Sequence, residues 1–387
     1  MFKLTEGQNN IIGCNHDAWV TEPQLKFTSE GYRSAFTGAT RYQGKIAPQS
    51  GMNEHGLVFT TLSIYPPKNQ KKFNGIPIKD RTQFLESVLQ SCKTLEEVEQ
   101  FFSRYNRSSF LQDLFVYIDS AGRVLFVEPF SMHYSNNSTL IQSNFCPSET
   151  SDLSKIQQGR FIRGNSFISK GFRADFDFGR KLIEEMSVSR KRHGDGTLIS
   201  TIWDNQNLRF DVIFYHEFSV VKSFDLKLEL LKGDTTYLLE ELFPRNEDFE
   251  DLKAYKTPFN TPILRLLLAF VGCLSGILGL WFLFKAARNS ALKSRLFWTI
   301  QALASILGLG YCYILATDIS MFYYDWPYIH PNSNWRTFLS FTPFALVLVF
   351  LRNIIHFKKF IIDQAFALIL ETGLFAVIIA GFLYWSS

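Results

Sequence analysis

Phe2-Lys3-Leu4-Thr5-Glu6-Gly7-Gln8-Asn9-Asn10-Ile11-Ile12-Gly13-Cys14-Asn15-His16-Asp17-Ala18-Trp19 opens the chain and decides how the rest is read. Phe2 and Leu4 alternate with Lys3, the period of a strand with one buried face. Thr5 to Asn10 is turn chemistry, with Gly7 and the Asn pair suited to left-handed backbone. Ile11-Ile12-Gly13 resumes the strand, which ends on Cys14-Asn15-His16-Asp17. A chain that enters a sheet at its second residue has its first residue pinned there rather than left as a tail.

The following 200 residues alternate strand and helix signals. Gly51-Met52-Asn53-Glu54-His55-Gly56-Leu57 is a Gly-bracketed turn leading into the β-branched and aromatic run Val58–Tyr65, which Pro66-Pro67 stops. Asp80 to Tyr105 reads as two helices, the second capped by Thr94 with Glu97 three residues on. Leu114–Ile118 and Arg123–Glu128 form a hairpin around Asp119-Ser120-Ala121-Gly122, and Thr139–Ser143 is a further strand. A helical region runs from Gly159 to about Arg192, interrupted near Gly171. Thr197–Trp203, Leu208–Tyr215 and Ser223–Leu231 are read as three closing strands. Strands, then helices, then strands predict an α+β layered domain over residues 1–231, with the charged, Pro-containing residues 232–261 as a linker.

The near-zero mean hydropathy hides a second half of different character. Residues 262–387 are dominated by apolar runs, near 266–284, 296–316, 337–352 and 360–385, which predict a four-helix transmembrane region. The third run is short enough that Arg336 and Arg352 must snorkel. Glu371 lies well inside the fourth. Lys285, Arg288, Lys293 and Arg295 follow the first run, and Arg352, Lys358 and Lys359 follow the third. By the positive-inside rule these loops are cytoplasmic, which puts the soluble domain on the exterior side of a multi-pass membrane protein. Such a domain needs an export signal, and none precedes the first strand.

Composition narrows the function classes. A net charge of +4, with no basic stripe in the soluble half, argues against a nucleic-acid partner. The five cysteines have no metal-ligand spacing, and the histidines no paired pattern, so neither a metal nor an organic cofactor is implied. Three cysteines, Cys14, Cys92 and Cys146, fall in the soluble half, an odd number that argues against a disulfide framework.

From Phe2 to about Leu231 the chain resembles the choloylglycine hydrolase and penicillin V acylase family of N-terminal-nucleophile amidases, to which acid ceramidase and N-acylethanolamine amidase are more distantly related. Gly13-Cys14-Asn15-His16-Asp17 stands where that family has Gly-Arg-Asn-x-Asp. Gly51 to Leu57 matches its Gly-Met-Asn-Glu-x-Gly-Leu turn, and Asp119 to Arg123 followed by Val127-Glu128 its Asp-x-x-Gly hairpin ending in Val-Glu. Ile76-Pro77 and Thr94 to Val98 match its two-helix region. Ser143-Asn144 and Gly159-Arg160-Phe161-Ile162-Arg163 match its Thr-Asn and its Ser-Arg-Phe-x-Arg. The apolar runs lie outside the resemblance.

The resemblance implies a four-layered αββα sandwich and hydrolysis of a linear, non-peptide amide C–N bond. A Cys thiolate attacks through a thioester, with its own α-amine as general base. It also implies roles. Asp17 would orient the amine, Asn144 would help bind the oxyanion, and Arg160 would support the cysteine electrostatically. Ser63 stands where bile-salt hydrolases have a second oxyanion Asn, and its hydroxyl is a possible donor to substrate.

The match departs from the family at the nucleophile. Met1-Phe2-Lys3-Leu4 looks like the remainder of Cys-Thr-Met-Phe-Lys-Leu, which places the cysteine just ahead of Met1 and also accounts for the export signal. A second route cleaves between Gly13 and Cys14 and makes Cys14 the nucleophile, discarding the first strand. The implied partners are a small-molecule or lipid-like amide, such as an N-acyl amine or N-acyl amino acid, and membrane lipid. The competing expectation is a catalytically inactive ligand-binding or sensory ectodomain on a membrane bundle, favoured by Cys14 in place of Arg and Ser63 in place of Asn.

Overall fold

In the computed structural model the described residues are 1–17, 22–42, 45–68, 74–190, 195–254 and 262–317. They fall into two units, the first ending at Lys253. The opening hairpin is tighter than its sequence predicts. Strand β1, Phe2–Glu6, pairs with β2, Asn9–Asp17, so that only Gly7 and Gln8 remain as the turn. Gly7 takes φ +61°, open to glycine at no steric cost. The polar residues expected to be turn are instead paired: Thr5 and Asn10 bond to each other, and Asn10 Nδ2 donates to the Ser120 carbonyl at 3.0 Å.

Two antiparallel sheets form the first unit. One runs in the order Thr139–Ile141, β1, β2, Asp195–Asp204, Arg209–Phe214, Lys222–Asp225. The other runs Met132–Ser135, Val124–Val127, Asp113–Ile118, Val58–Ser63, Ser50–Asn53, β4 (Ser34–Gly38), β3 (Gln24–Thr28), Thr235–Leu238. Alternation sorts each strand's side chains between two layers. Ile12 and Cys14 of β2 join Trp203, Val58, Leu62 and Val116 in a core between the sheets. Ile11, with Phe2 and Leu4, turns the other way, onto Leu182, Ile183 and Met186.

Leu182 and Ile183, with Met186 at the C-cap that follows, belong to a helix pair, α3 (Gly159–Ile168) and α4 (Phe176–Glu185), covering the outer face of the first sheet. The pair α1 (Arg81–Ser91) and α2 (Leu95–Ser103) covers the outer face of the second, where Phe84, Val88 and Phe102 meet Phe59, Phe115 and Tyr117. The layers therefore run helix, sheet, sheet, helix. The helical region after Gly159 breaks near Gly171, at φ +109°, as its sequence predicts.

The Gly-Met-Asn turn has a structural explanation. Asn53 is buried, its Oδ1 accepting from the His55 and Leu57 main chain and its Nδ2 donating to the carbonyls of Leu89 and Cys92. It thereby fastens the end of α1 to the sheet. Gly56 sits at φ +74°, and a Cβ there would lie 2.5 Å from the Asn205 carbonyl of the facing sheet.

Two expectations are corrected. Residues 232–253 are not a linker. Thr235–Leu238 pairs with β3 as an edge strand, and Leu239, Phe243, Phe249 and Leu252 enter the inter-sheet core. The charges between these four apolar residues disguise them in sequence. The stretch Ser223–Leu231 is a strand only to Asp225, whose carboxylate then caps a short helix, Leu226–Leu230.

The second unit holds two apolar helices among the described residues, Pro262–Arg288 and Leu292–Thr317. At 1.5 Å per residue each is about 40 Å long, enough to cross a bilayer. They pack through small residues: a Cβ on Gly272 would lie 3.1 Å from Cys312 and one on Gly279 3.2 Å from Ile306. The runs 337–352 and 360–385, and Glu371 with them, lie outside the described residues.

Candidate functional site

Asp17 is the last residue of β2 and Arg160 the second of α3, and the fold brings them together across 143 residues. Arg160 Nη2 lies 2.5 Å from Asp17 Oδ2. The other carboxylate oxygen, Oδ1, accepts from the Thr197 hydroxyl at 3.0 Å, and that hydroxyl accepts from the Val188 main chain at 3.0 Å. Both oxygens of Asp17 are thus oriented by groups from different elements.

Asn144 follows the strand Thr139–Ile141. Its Nδ2 donates to the Ser63 carbonyl at 2.8 Å, tying the edge of the first sheet to the end of Val58–Ser63 in the second. One N–H of that amide remains for another partner. The main chain around it is held by two glutamines. Gln142 Nε2 donates to the carbonyls of Ser143 and Phe145, at 2.9 and 3.0 Å. Gln158 exchanges two bonds with Asn144 itself, accepting from its N–H at 3.0 Å and donating to its carbonyl at 2.9 Å.

Asp17, Arg160, Asn144 and Ser63 all line one cavity of about 260 Å³, with His16 beside them. Four of the five residues singled out in the sequence therefore converge. Cys14 does not line it. The Cys14 side chain is buried between the sheets, and burial pushes its thiol up, against the pull of the Met1 amine and the Thr60 and Thr201 hydroxyls. On the far wall Arg81 and Asp113 form a second ion pair at 2.6 Å, with burial pushing the Asp113 carboxyl up.

The end of β1 reaches this place. Met1 and Gln142 exchange both main-chain bonds: the α-amine donates to the Gln142 carbonyl at 2.8 Å and the Gln142 N–H to the Met1 carbonyl at 3.0 Å. The buried amine is drawn down to about 6 by loss of solvation. Arg160 acts in the same direction, while Cys14 and Asp17 oppose it. His16 is drawn further, to about 3, by burial and by the charge of the amine, so its imidazole is neutral near pH 7. Its Nε2 has no hydrogen-bond partner among the described residues.

Thr197, Gln142, Gln158 and the Arg81–Asp113 pair were missed by sequence reasoning. Each acts through a partner distant in the chain, and no local pattern marks it. Gln158 alone had a signal, since a helix predicted to open at Gly159 has Gln at its cap position, an unusual choice.

No family model and no curated protein matches the chain. Among solved structures it is similar to two variants of the conjugated bile acid hydrolase from Clostridium perfringens. The identities are 15% and 16%, each match covering 64% of this chain and 97% of the other, with TM-scores of 0.45 and 0.43. It is also similar to penicillin V acylase from Agrobacterium tumefaciens, at 14% identity over 55% of this chain and 81% of that one, with a TM-score of 0.41.

Proposed function

We propose that the unit ending at Lys253 is a hydrolase of linear amide C–N bonds whose nucleophile is a cysteine two residues ahead of Met1. The observation that carries this reading is strand register. Phe2 pairs with Gly13 on one side and Ile141 on the other, and Met1 with Gln142. In antiparallel pairing each step back along β1 is a step forward along its neighbours. Two steps before Met1 fall opposite His16 and Asn144, at the cavity and next to Asp17. An N-terminal residue there meets a carboxylate for its amine and a side-chain amide for an oxyanion.

The chemistry follows from the groups present. The α-amine takes the thiol proton. The thiolate adds to the amide carbonyl carbon, forming a C–S bond, while the remaining Nδ2 proton of Asn144 and the Ser63 hydroxyl face the developing oxyanion. The C–N bond then breaks, the amine leaving with the proton, and water cleaves the thioester to release the acid. Asp17 holds the α-amine, and Arg160, already paired with Asp17, favours the thiolate. An unperturbed α-amine has a pKa of about 8, within reach of a general base at neutral pH.

The apolar helices anchor this unit in a bilayer, as part of four spans with the soluble unit on the exterior side, where N-acyl amines or N-acyl amino acids would reach it from the membrane. The test is intact mass and N-terminal sequencing of protein expressed from the complete locus with upstream codons kept. An N-terminal Cys two residues ahead of Met1, with turnover of N-acyl amines, is the expected result. Retained Met1 as the first residue removes the nucleophile and leaves a ligand-binding domain. Processing between Gly13 and Cys14 would move the chemistry to a thiol that is now buried between the sheets.

A further inference from the structure

Helix α3 begins without a side-chain cap, because its cap residue points elsewhere. The Gln158 carbonyl accepts from the Phe161 and Ile162 main chain, but its side chain makes no bond to the turn that follows it, whereas the side chains of Asp80, Thr94 and Asp175 each accept from the main chain of the helix they open. Ser, Thr, Asp and Asn are the residues that satisfy the free N–H groups of a first turn, and Gln is not among them. The Gln158 amide instead closes a two-bond ring on Asn144, occupying its main-chain N–H and its carbonyl. With both main-chain groups taken, the side-chain amide is what Asn144 has left to offer a ligand. Two residues beyond Gln158 in the same helix is Arg160, whose guanidinium holds Asp17. One side chain therefore joins the Asn144 segment to the helix that carries Arg160.

We propose that Gln158 is a positioning residue, which fixes the Asn144 side chain relative to the Asp17–Arg160 pair so that the oxyanion donor and the nucleophile's partners move as one body. This rests on the amidase reading above. Preorganised donors lose much of their effect when displaced by a fraction of a bond length, and a misplacement of about 1 Å can cost about 100-fold in rate.

Gln158→Ser separates positioning from stability, because serine is a preferred cap and cannot make the clamp. The full-length protein with its native N-terminus is assayed on fluorogenic N-acyl aminomethylcoumarins with short and long acyl chains, alongside thermal unfolding. The expected result is a kcat lower by about tenfold or more, a KM within about twofold, and a Tm unchanged or raised. Gln158→Glu keeps the acceptor for the Asn144 N–H and loses the donor to its carbonyl, so its kcat falls between wild type and Gln158→Ser. Wild-type kcat in the serine variant overturns the role. So does a loss of kcat in both variants that tracks a loss of Tm. A wild-type protein that turns over none of the panel overturns the amidase reading, and the positioning role with it.

Discussion

Helices α1 and α2 lie on one outer face of the sandwich and α3 and α4 on the other, and the two pairs are built to different ends. The first pair is scaffold apart from Arg81, which opens α1 and lines the cavity. Asp80 and Thr94 cap its helices, and Phe84, Phe102, Phe110 and Phe115 interlock beneath them with ring centroids 5.0–5.8 Å apart. The second pair brings Arg160 to the candidate site at its leading end, and there the first helix gives up its side-chain cap. Where packing and capping agree, a region is stable in its own right. Where a polar group forgoes its local partner for a distant one, the structure is shaped by something other than local stability.

The comparison breaks most visibly at Phe102, which is fully buried against Phe84, Phe115 and Tyr117. Phe102→Ala is expected to cost about 3–5 kcal/mol in unfolding free energy. Activity per folded molecule should be unchanged, read by urea unfolding and an active-site titration. Asn144→Ala should do the reverse. Its side chain is only partly buried, and on the proposed role as an oxyanion donor its loss lowers kcat by about 100- to 1000-fold with a small change in Tm. A large Tm loss at Asn144, or a kcat loss at Phe102 in folded protein, would erase the distinction.

Titration sharpens it further, because two groups with depressed values, His16 and the Met1 amine, lie at the site. His16 stands at about 3 when folded against an ordinary value of about 6.5, and the Met1 amine at about 6 against about 8. Between each folded value and its unfolded one the unfolded chain binds more protons, so stability rises with pH across both windows. Going down in pH, the amine contribution is lost between 8 and 6 and the histidine contribution from 6.5 toward 3. From pH 6.5 to 5 the histidine alone should cost about 2 kcal/mol. Urea midpoints measured against pH check this. His16→Gln should flatten the curve below pH 6.5, and a chain with residues ahead of Met1 should lose the slope between 8 and 6. An unaltered acid slope in His16→Gln would mean that the imidazole is not held neutral.

Much of this was legible in the sequence, and the reason is local. Alternation in Phe2–Leu4 gives the hairpin, and Thr94 with Glu97 gives the start of α2, because those signals reside in neighbouring residues. Asp17, Asn144, Arg160 and Ser63 were found through short motifs whose order survives, and all four line one cavity. What stayed hidden is what depends on distant partners. Thr197 matters because β2 ends beside it, and Thr235–Leu238 is a strand because β3 offers it an edge. Cys14 was weighed as a nucleophile from its sequence position, and only the strand alternation, read with both sheets in place, puts it in the core.

The smallest expected effect tests the scaffold half on its own terms. Thr94 Oγ1 accepts from the Glu97 N–H at 3.2 Å, and Glu97 reaches back to the Lys93 N–H at 2.7 Å, one residue earlier than the reciprocal bond of a standard capping box. Thr94→Ala removes the first bond and leaves the second. The expected loss is about 1 kcal/mol, seen as a lower urea midpoint with the same dependence on denaturant and the same kcat. Set beside Gln158→Ser, it makes a reciprocal pair of cap substitutions. One takes a cap from a helix that uses it and should cost stability alone. The other gives a cap to a helix that lacks it and should cost turnover alone. If both variants lost stability and kept kcat, α3 would be scaffold like α2, and the clamp on Asn144 would be one more packing contact.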